Sequence, residues 1–370
     1  MNQIITSLKQ FKEKFEAENQ IQNVVLQNIN FWNEAIDWAQ YQFEQTIFLG
    51  CELKPKDIAI LVQNGVFVYP KFNNLPYNPF RTKLYTWQEL IKNIEEEVSK
   101  TIDYQVYSHF IKNKYNPPIH EALAQRIHDN SIDEALRKLL GYDSIGMTQK
   151  KAVGFMGGHS VARNDISYKK TAFTAKLLSE KGYYIVSGGG PGIMEAANLG
   201  AYFSGKSDDE LLTAIDILSK SPAFTDEKYI DCALEVLKNF PEGIENLAIP
   251  TWFYGHEPTN LFASHIAKYF SNSIREDTLL AISLYGVVFA KGSAGTTQEI
   301  FQEAAQNHYG TFGYRSPMIF LGKERYTEQT SIFSTLYQLA ENQEYRELLF
   351  LTDSPKSVVE FIESHPPTKV

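Results

Sequence analysis

Three short stretches combine glycine, hydroxyl and ionisable residues at spacings suited to an anion or a sugar: Phe155-Met-Gly-Gly-His-Ser160, Ser187-Gly-Gly-Gly-Pro-Gly-Ile-Met-Glu195 and Lys291-Gly-Ser-Ala-Gly-Thr-Thr-Gln-Glu299. In the second, Gly188, Gly189, Gly190 and Gly192 precede a predicted helix, with Pro191 suited to its first turn. Glycines let backbone amides approach an anion unobstructed, and a helix N-terminus adds partial positive charge, so a phosphate fits here. The alternative is a tight turn with no ligand. A dinucleotide fingerprint is disfavoured, because Ile193 stands where Gly-x-Gly-x-x-Gly needs its last glycine, and no Walker A loop is expected. The third stretch supplies Gly292, Gly295 and the hydroxyls of Ser293, Thr296 and Thr297. Thr296 with Glu299 also reads as a plain capping box. Taken together, the second and third stretches could clamp a phosphate between two helix N-termini. Glu299 would then lie where the helix dipole favours an ionised carboxylate, able to bind ribose hydroxyls or stabilise a cationic sugar.

A fourth stretch, Gly255-His-Glu-Pro-Thr-Asn260, invites a zinc reading through His256 and Glu257, but His-Glu-x-x-His fails because position 260 is Asn. A turn at Pro258 is the structural alternative. Arg275, isolated in sequence, reads either as a ligand group or as a surface ion-pair partner.

Elements must hold these residues in place. From about residue 150, strand-like apolar runs (152–156, 183–187, 247–251, 287–290, 318–321, 348–351) alternate with helical ones (168–181, from 192, 260–270, 276–282, from 296, 332–340, 355–363). Such alternation needs crossover connections. The expected fold class is therefore α/β, a Rossmann-like open parallel sheet with helices on both faces over 150–370, interrupted by an insertion at about 204–246. Ligands bind beyond the carboxyl ends of such strands, where the glycine stretches fall. Residues 1–149 read as a mainly helical N-terminal domain. Leu8, Phe11 and Phe15 fall at helical spacing, as do Phe31, Ala35, Trp38 and Phe43 more loosely. A short strand is expected at Val66–Tyr69, and helix starts at Thr86 (with Glu89) and Ser131 (with Glu134), the latter helix stopping at Gly141. No internal repeat is apparent.

The chain's 370 residues carry a net charge of −9, with 43% apolar and 21% charged residues, an ordinary globular profile that argues against coating DNA or RNA. Two cysteines, Cys51 and Cys232, form no zinc pattern and suggest buried thiols. A polar N-terminus and no long apolar run favour the cytoplasm and argue against a membrane partner. The 13% aromatic content is unusual. Trp252, Phe253 and Tyr254, beside Glu257, are where a base could stack.

The run Ser-Gly-Gly-Gly-Pro-Gly-Ile-Met-Glu-Ala-Ala-Asn-Leu-Gly-Ala and the downstream Gly-x-x-Gly-Thr-x-x-Glu resemble the LOG family, long mislabelled as lysine decarboxylases. Gly157-Gly-His-Ser160 and Glu257-Pro-Thr-Asn260 look like its longer bacterial members, the pyrimidine/purine nucleotide 5′-monophosphate nucleosidases. The resemblance spans roughly residues 150 to 325. It implies cleavage of the N-glycosidic bond of a nucleoside 5′-monophosphate to free base and ribose 5-phosphate, with no metal or organic cofactor. It implies catalytic Glu299 and Arg275. It further implies phosphate or substrate contacts from Gly188, Gly189, Gly190, Gly192, Gly292, Gly295 and Thr296, and from Gly158, His159, Ser160, Glu257 and Asn260. A homodimer is expected on the same ground, and a regulatory nucleotide is a further partner to consider. The family usually has Pro-Gly-Gly where Lys291-Gly292-Ser293 stands, and Lys after the Arg where Glu276 stands. The Lys291 and Ser293 departures favour the alternative of a non-catalytic nucleotide sensor using the same pocket. A pyridoxal-phosphate decarboxylase is disfavoured because none of the eight histidines is followed by Lys. A single-stranded DNA binder is disfavoured by the charge.

Overall fold

The computed structural model describes residues 3–15, 18–142 and 148–370, and the chain divides into two compact units: Met1–Lys83 with Tyr115–Ala135, and Leu84–Lys114 with Leu136–Val370. The division differs from the expected one at 149/150, since residues 84–114 belong with the sheet-bearing unit.

In the larger unit, continuous apolar runs become strands buried on both faces. They are β7 (Ala152–Met156), β8 (Tyr184–Ser187), β9 (Leu247–Ala248), β10 (His265–Ile266), β11 (Val287–Phe289), β13 (Met318–Leu321) and β14 (Leu349–Thr352). Every pairing among them is parallel, in the order β10-β9-β8-β7-β11-β13-β14, a Rossmann-like sheet flanked by helices. A small antiparallel pair, β12 (Tyr314–Arg315) with β15 (Thr368–Lys369), lies apart from it. The helices are α6 (Ile166–Glu180), α7 (Ile193–Tyr202), α10 (Asn272–Ile282), α11 (Ala294–Tyr309), α12 (Ile332–Leu339) and α13 (Pro355–Ser364). Val153 and Phe155 of β7 point to the face where Ala175, Leu178, Ala197, Val358 and Ile362 pack. Gly154 leaves room for Ser283 at the end of α10, since a Cβ there would lie 2.4 Å from its Oγ. From β7 the chain builds outward through β8, β9 and β10, then returns to place β11 on the other side of β7. That reversal opens a crevice at the carboxyl ends of β7 and β11, where the glycine stretches emerge.

The expected insertion folds as α8 (Asp208–Leu218) and α9 (Tyr229–Asn239), whose apolar faces join Tyr168, Leu199 and Phe203 in one cluster. A buried charge cluster secures it. Glu195 accepts from Arg163 Nε (2.8 Å), Tyr168 OH (2.9 Å) and Tyr229 OH (2.9 Å), and Arg163 also donates to the Tyr229 carbonyl (2.8 Å). Residues 260–270, expected as a helix, instead form a turn and the edge strand β10. The Asn260 side chain accepts from Phe262 N (3.1 Å), a local bond that competes with helix formation.

Alongside the helices expected of the N-terminal domain, the smaller unit contains parallel sheet that was not expected. Strands β1 (Gln3–Ile5), β3 (Val24–Gln27), β5 (Ile47–Leu49) and β6 (Phe67–Tyr69) form one parallel sheet, and β2 (Gln20–Gln22) pairs in parallel with β4 (Gln42–Glu44). Partners in the two central coils lie 22 positions apart (20 with 42, 25 with 47, 30 with 52), while the flanking pairings of the sheet are offset by 21 (3 with 24) and 20 (47 with 67). This is an internal repeat, a short parallel solenoid. Its corners are left-handed residues at the same interval, Asn23 and Gln45 (φ 54° and 45°), then Asn28 and Gly50 (56° and 61°). Asn and Gly are the residues that tolerate this backbone best. Inward positions stack accordingly, Ile21 over Phe43, Leu26 over Phe48, Ile29 over Cys51 and Phe31 over Leu53. Helix α1 (Leu8–Phe15) and the strand near Tyr69 match expectation, and α2 (Pro55–Gln63) closes the coil. The spacing of Phe31 to Phe43 yields only a short turn at Trp38–Gln40. Ser131 lies inside α5 (Ile119–Leu140) and donates to the Pro79 carbonyl (2.9 Å) instead of starting a helix.

Candidate active site

The crevice is built by three loops in mutual contact. Gly158 N donates to the Lys291 carbonyl (2.9 Å) and Ile193 N to the Gly158 carbonyl (3.2 Å). This joins the loops after β7, β8 and β11.

Helix α11 begins at Ala294, so Ser293 is its N-cap, and no side chain caps it. The capping box of Thr296 with Glu299 therefore does not form. Ser293, Ala294 and Gly295 are exposed, and the first-turn amides keep their capacity to donate to an anion. Gly292 is required locally, since a Cβ there would fall 2.1 Å from Thr296 Oγ1. The Lys291 ammonium turns away to Asp165 (2.7 Å), the N-cap of α6, and leaves the cradle clear.

Glu299 points inward instead. Arg275 Nη1 lies 3.3 Å from Glu299 Oε1, while Nη2 donates to the Gly188 carbonyl (3.0 Å) and Nε to the Ile249 carbonyl (2.8 Å). Arg275 is thus held on three sides, not paired at the surface. Burial pushes the Glu299 carboxyl up, Arg275 opposes this, and neighbouring Glu276 adds to it, raising the group to about 7. Glu276 is held by Asn272 Nδ2 and Gln298 Nε2, both at 2.7 Å.

The second glycine stretch has a packing role in the site. Gly188, Gly189, Gly190 and Gly192 are all buried in this turn. Its glycines make room for the site's side chains. A Cβ at Gly188 would lie 2.3 Å from Arg275 Nη2, one at Gly190 2.6 Å from Glu257 Oε2, and one at Gly192 2.4 Å from the Gly158 carbonyl. Gly189 N is bound to Ser187 Oγ (3.0 Å).

Glu257 and His159 flank this turn, with Glu257 Oε1 3.8 Å from His159 Nδ1. Ser160 is exposed at the rim. Asn260 is buried and donates to Asn198 Oδ1 (2.8 Å), beside Glu257 in the same turn. Trp252 is fully buried, its Nε1 donating to Asp103 (2.8 Å), so it cannot stack on a base. Asp103, on α4 (Ile102–Ile111), was not anticipated from sequence. Burial pushes its carboxyl up, but Lys268 Nζ at 2.7 Å and its other partners outweigh that and hold it below the ordinary range.

A Walker A pattern does occur, against expectation, at Gly200-Ala-Tyr-Phe-Ser-Gly-Lys-Ser207. It makes no phosphate loop. Gly200 lies within α7, where a Cβ would meet the Ala172 carbonyl at 2.0 Å, and Ser207 spends its hydroxyl on a capping box with Glu210.

No protein-family model and no curated protein matches the chain. Among solved structures it is similar to the molybdenum cofactor binding protein from the phototrophic bacterium Rippkaea orientalis, at 16% identity over 58% of this chain and 97% of that one, with a TM-score of 0.36. It is similar likewise to the molybdenum cofactor carrier protein from Chlamydomonas reinhardtii (14% identity, 58% and 98% covered, TM-score 0.36) and to TM1055 (18%, 58% and 99%, 0.36).

Proposed function

We propose that this chain is a nucleoside 5′-monophosphate N-glycosidase, releasing free base and ribose 5-phosphate. The observation that carries this reading is the Arg275–Glu299 pair buried directly below the uncapped, exposed first turn of α11. Such an arrangement suits a phosphorylated sugar. The phosphate takes the amides of Gly295 and Thr296, and its binding energy positions the ribose over the carboxylate. As the bond from C1′ to the base stretches, positive charge builds on the ribose, and ionised Glu299 stabilises it. Water then attacks C1′; its oxygen stays on the sugar and its proton is accounted for on the released base. Arg275 fixes the Glu299 rotamer and, through Gly188, ties it to the loop after β8. Lys291 does not obstruct the cradle, which removes one reason to favour a non-catalytic sensor.

The test incubates purified protein with a panel of nucleoside monophosphates and measures free base by chromatography. Release is expected, and Glu299→Gln should reduce it at least about a hundredfold with nucleotide binding retained. Binding of nucleotides with no base released from any would replace this reading with the sensor.

A further inference from the structure

We infer that Glu257 is the base-recognition residue of this site and selects guanine nucleotides, an inference that rests on the nucleotide site proposed above. Its neighbours in the 256–260 turn are committed to the fold. Thr259 Oγ1 donates to Asp103 Oδ2 (3.1 Å), Asn260 is bound to Asn198, and His256 packs against the rings of Tyr104 and Tyr107. Asp103 also takes Trp252 Nε1 and Lys268 Nζ, anchoring the segment on either side of the turn. Glu257 alone is left uncommitted. Its carboxylate accepts no hydrogen bond among the described residues, His159 at 3.8 Å is too far for one, and the side chain keeps 33% of its exposure. A solvated surface glutamate needs no such support. This one also packs against Gly190, where a Cβ would lie 2.6 Å from Oε2 and the carboxylate would have to shift.

An ionised carboxylate can only accept, and its two oxygens best match two adjacent donors. Guanine offers that pair in N1–H and N2–H₂. Hypoxanthine keeps only N1–H, and adenine and cytosine place a lone-pair nitrogen beside their amino group, opposite a charge that repels it. Uracil has one donor between two carbonyls. Arg275 binds this turn at Gly188 and Glu257 abuts it at Gly190, so the turn joins the proposed sugar site to Glu257, and we seat the base there.

The experiment measures kcat/KM for GMP, IMP and AMP, with Kd for each by calorimetry, on the full chain and on Glu257→Gln. The expected order is GMP, IMP, AMP. The variant, which replaces one acceptor by a donor, should cut the GMP-to-AMP ratio at least about tenfold in both kcat/KM and Kd. An unchanged ratio overturns the inference, as does an equal fall for all three nucleotides, which would put the carboxylate on the ribose. If no base is released but the Kd ratio shifts as expected, cleavage fails and base recognition stands. If no nucleotide binds, both fail.

Discussion

If catalysis needs ionised Glu299, its rate must follow the titration of a buried carboxyl raised from 4.5 to about 7. Near pH 6 only about a tenth of the sites are ionised and near pH 5 about a hundredth, so kcat/KM should fall about tenfold per pH unit below 7. Free-base release between pH 5 and 8.5 measures this limb. The substrate's own phosphate titrates near pH 6, so the limb is assigned with Glu276→Gln. That variant removes the charge that helps raise Glu299 and should move the enzyme's limb downward while leaving the substrate's in place. A profile flat down to pH 5, or one unmoved by Glu276→Gln, would refute the assignment. Stability should follow the same titration in the opposite direction. The folded protein holds its proton more tightly than the unfolded chain, so this contribution is full below about 4.5 and is lost as pH rises through about 7. Over that window it amounts to about 3 kcal/mol.

Other residues give independent tests. Glu303 is also buried and raised to about 7, so Glu303→Gln should flatten the fall in urea midpoint between pH 5 and 8 without abolishing base release. Gly188→Ala drives a methyl into the Arg275 guanidinium; turnover should collapse while circular dichroism stays native-like. Lys268→Met leaves Asp103 buried without its cation and should cost about 3–5 kcal/mol, read as a lowered urea midpoint.

The parallel sheet was legible because strands buried on both faces read as plain apolar runs: Ala152–Met156 and Met318–Leu321 fall where expected. Glu299 and Arg275 were legible as chemistry but not as a pair, since 24 positions separate them and only the fold joins them. The glycines near 190 illustrate a limit of another kind. Sequence shows that small residues are needed, whereas the reason, a guanidinium from position 275 and a carboxylate from position 257, lies far along the chain. Trp252 was misplaced because its partner, Asp103, sits 149 positions earlier. The solenoid was missed because each coil changes direction at Asn23, Asn28, Gln45 and Gly50, which leaves no run long enough to show a strand period.

That solenoid constrains how the chain can change length. Within a coil, adding or removing one residue exchanges inside for outside at every later position, burying Gln22 or Glu44 and exposing Ile21 or Phe43. Removing or duplicating a whole stretch of 22 returns each side chain to its own column, Asn over Gln at one corner and Asn over Gly at the next. Between the two central coils length is therefore quantised, whereas the connections that carry α1 and α2 depart from it, with offsets of 21 and 20 positions, and are where shorter insertions should fall.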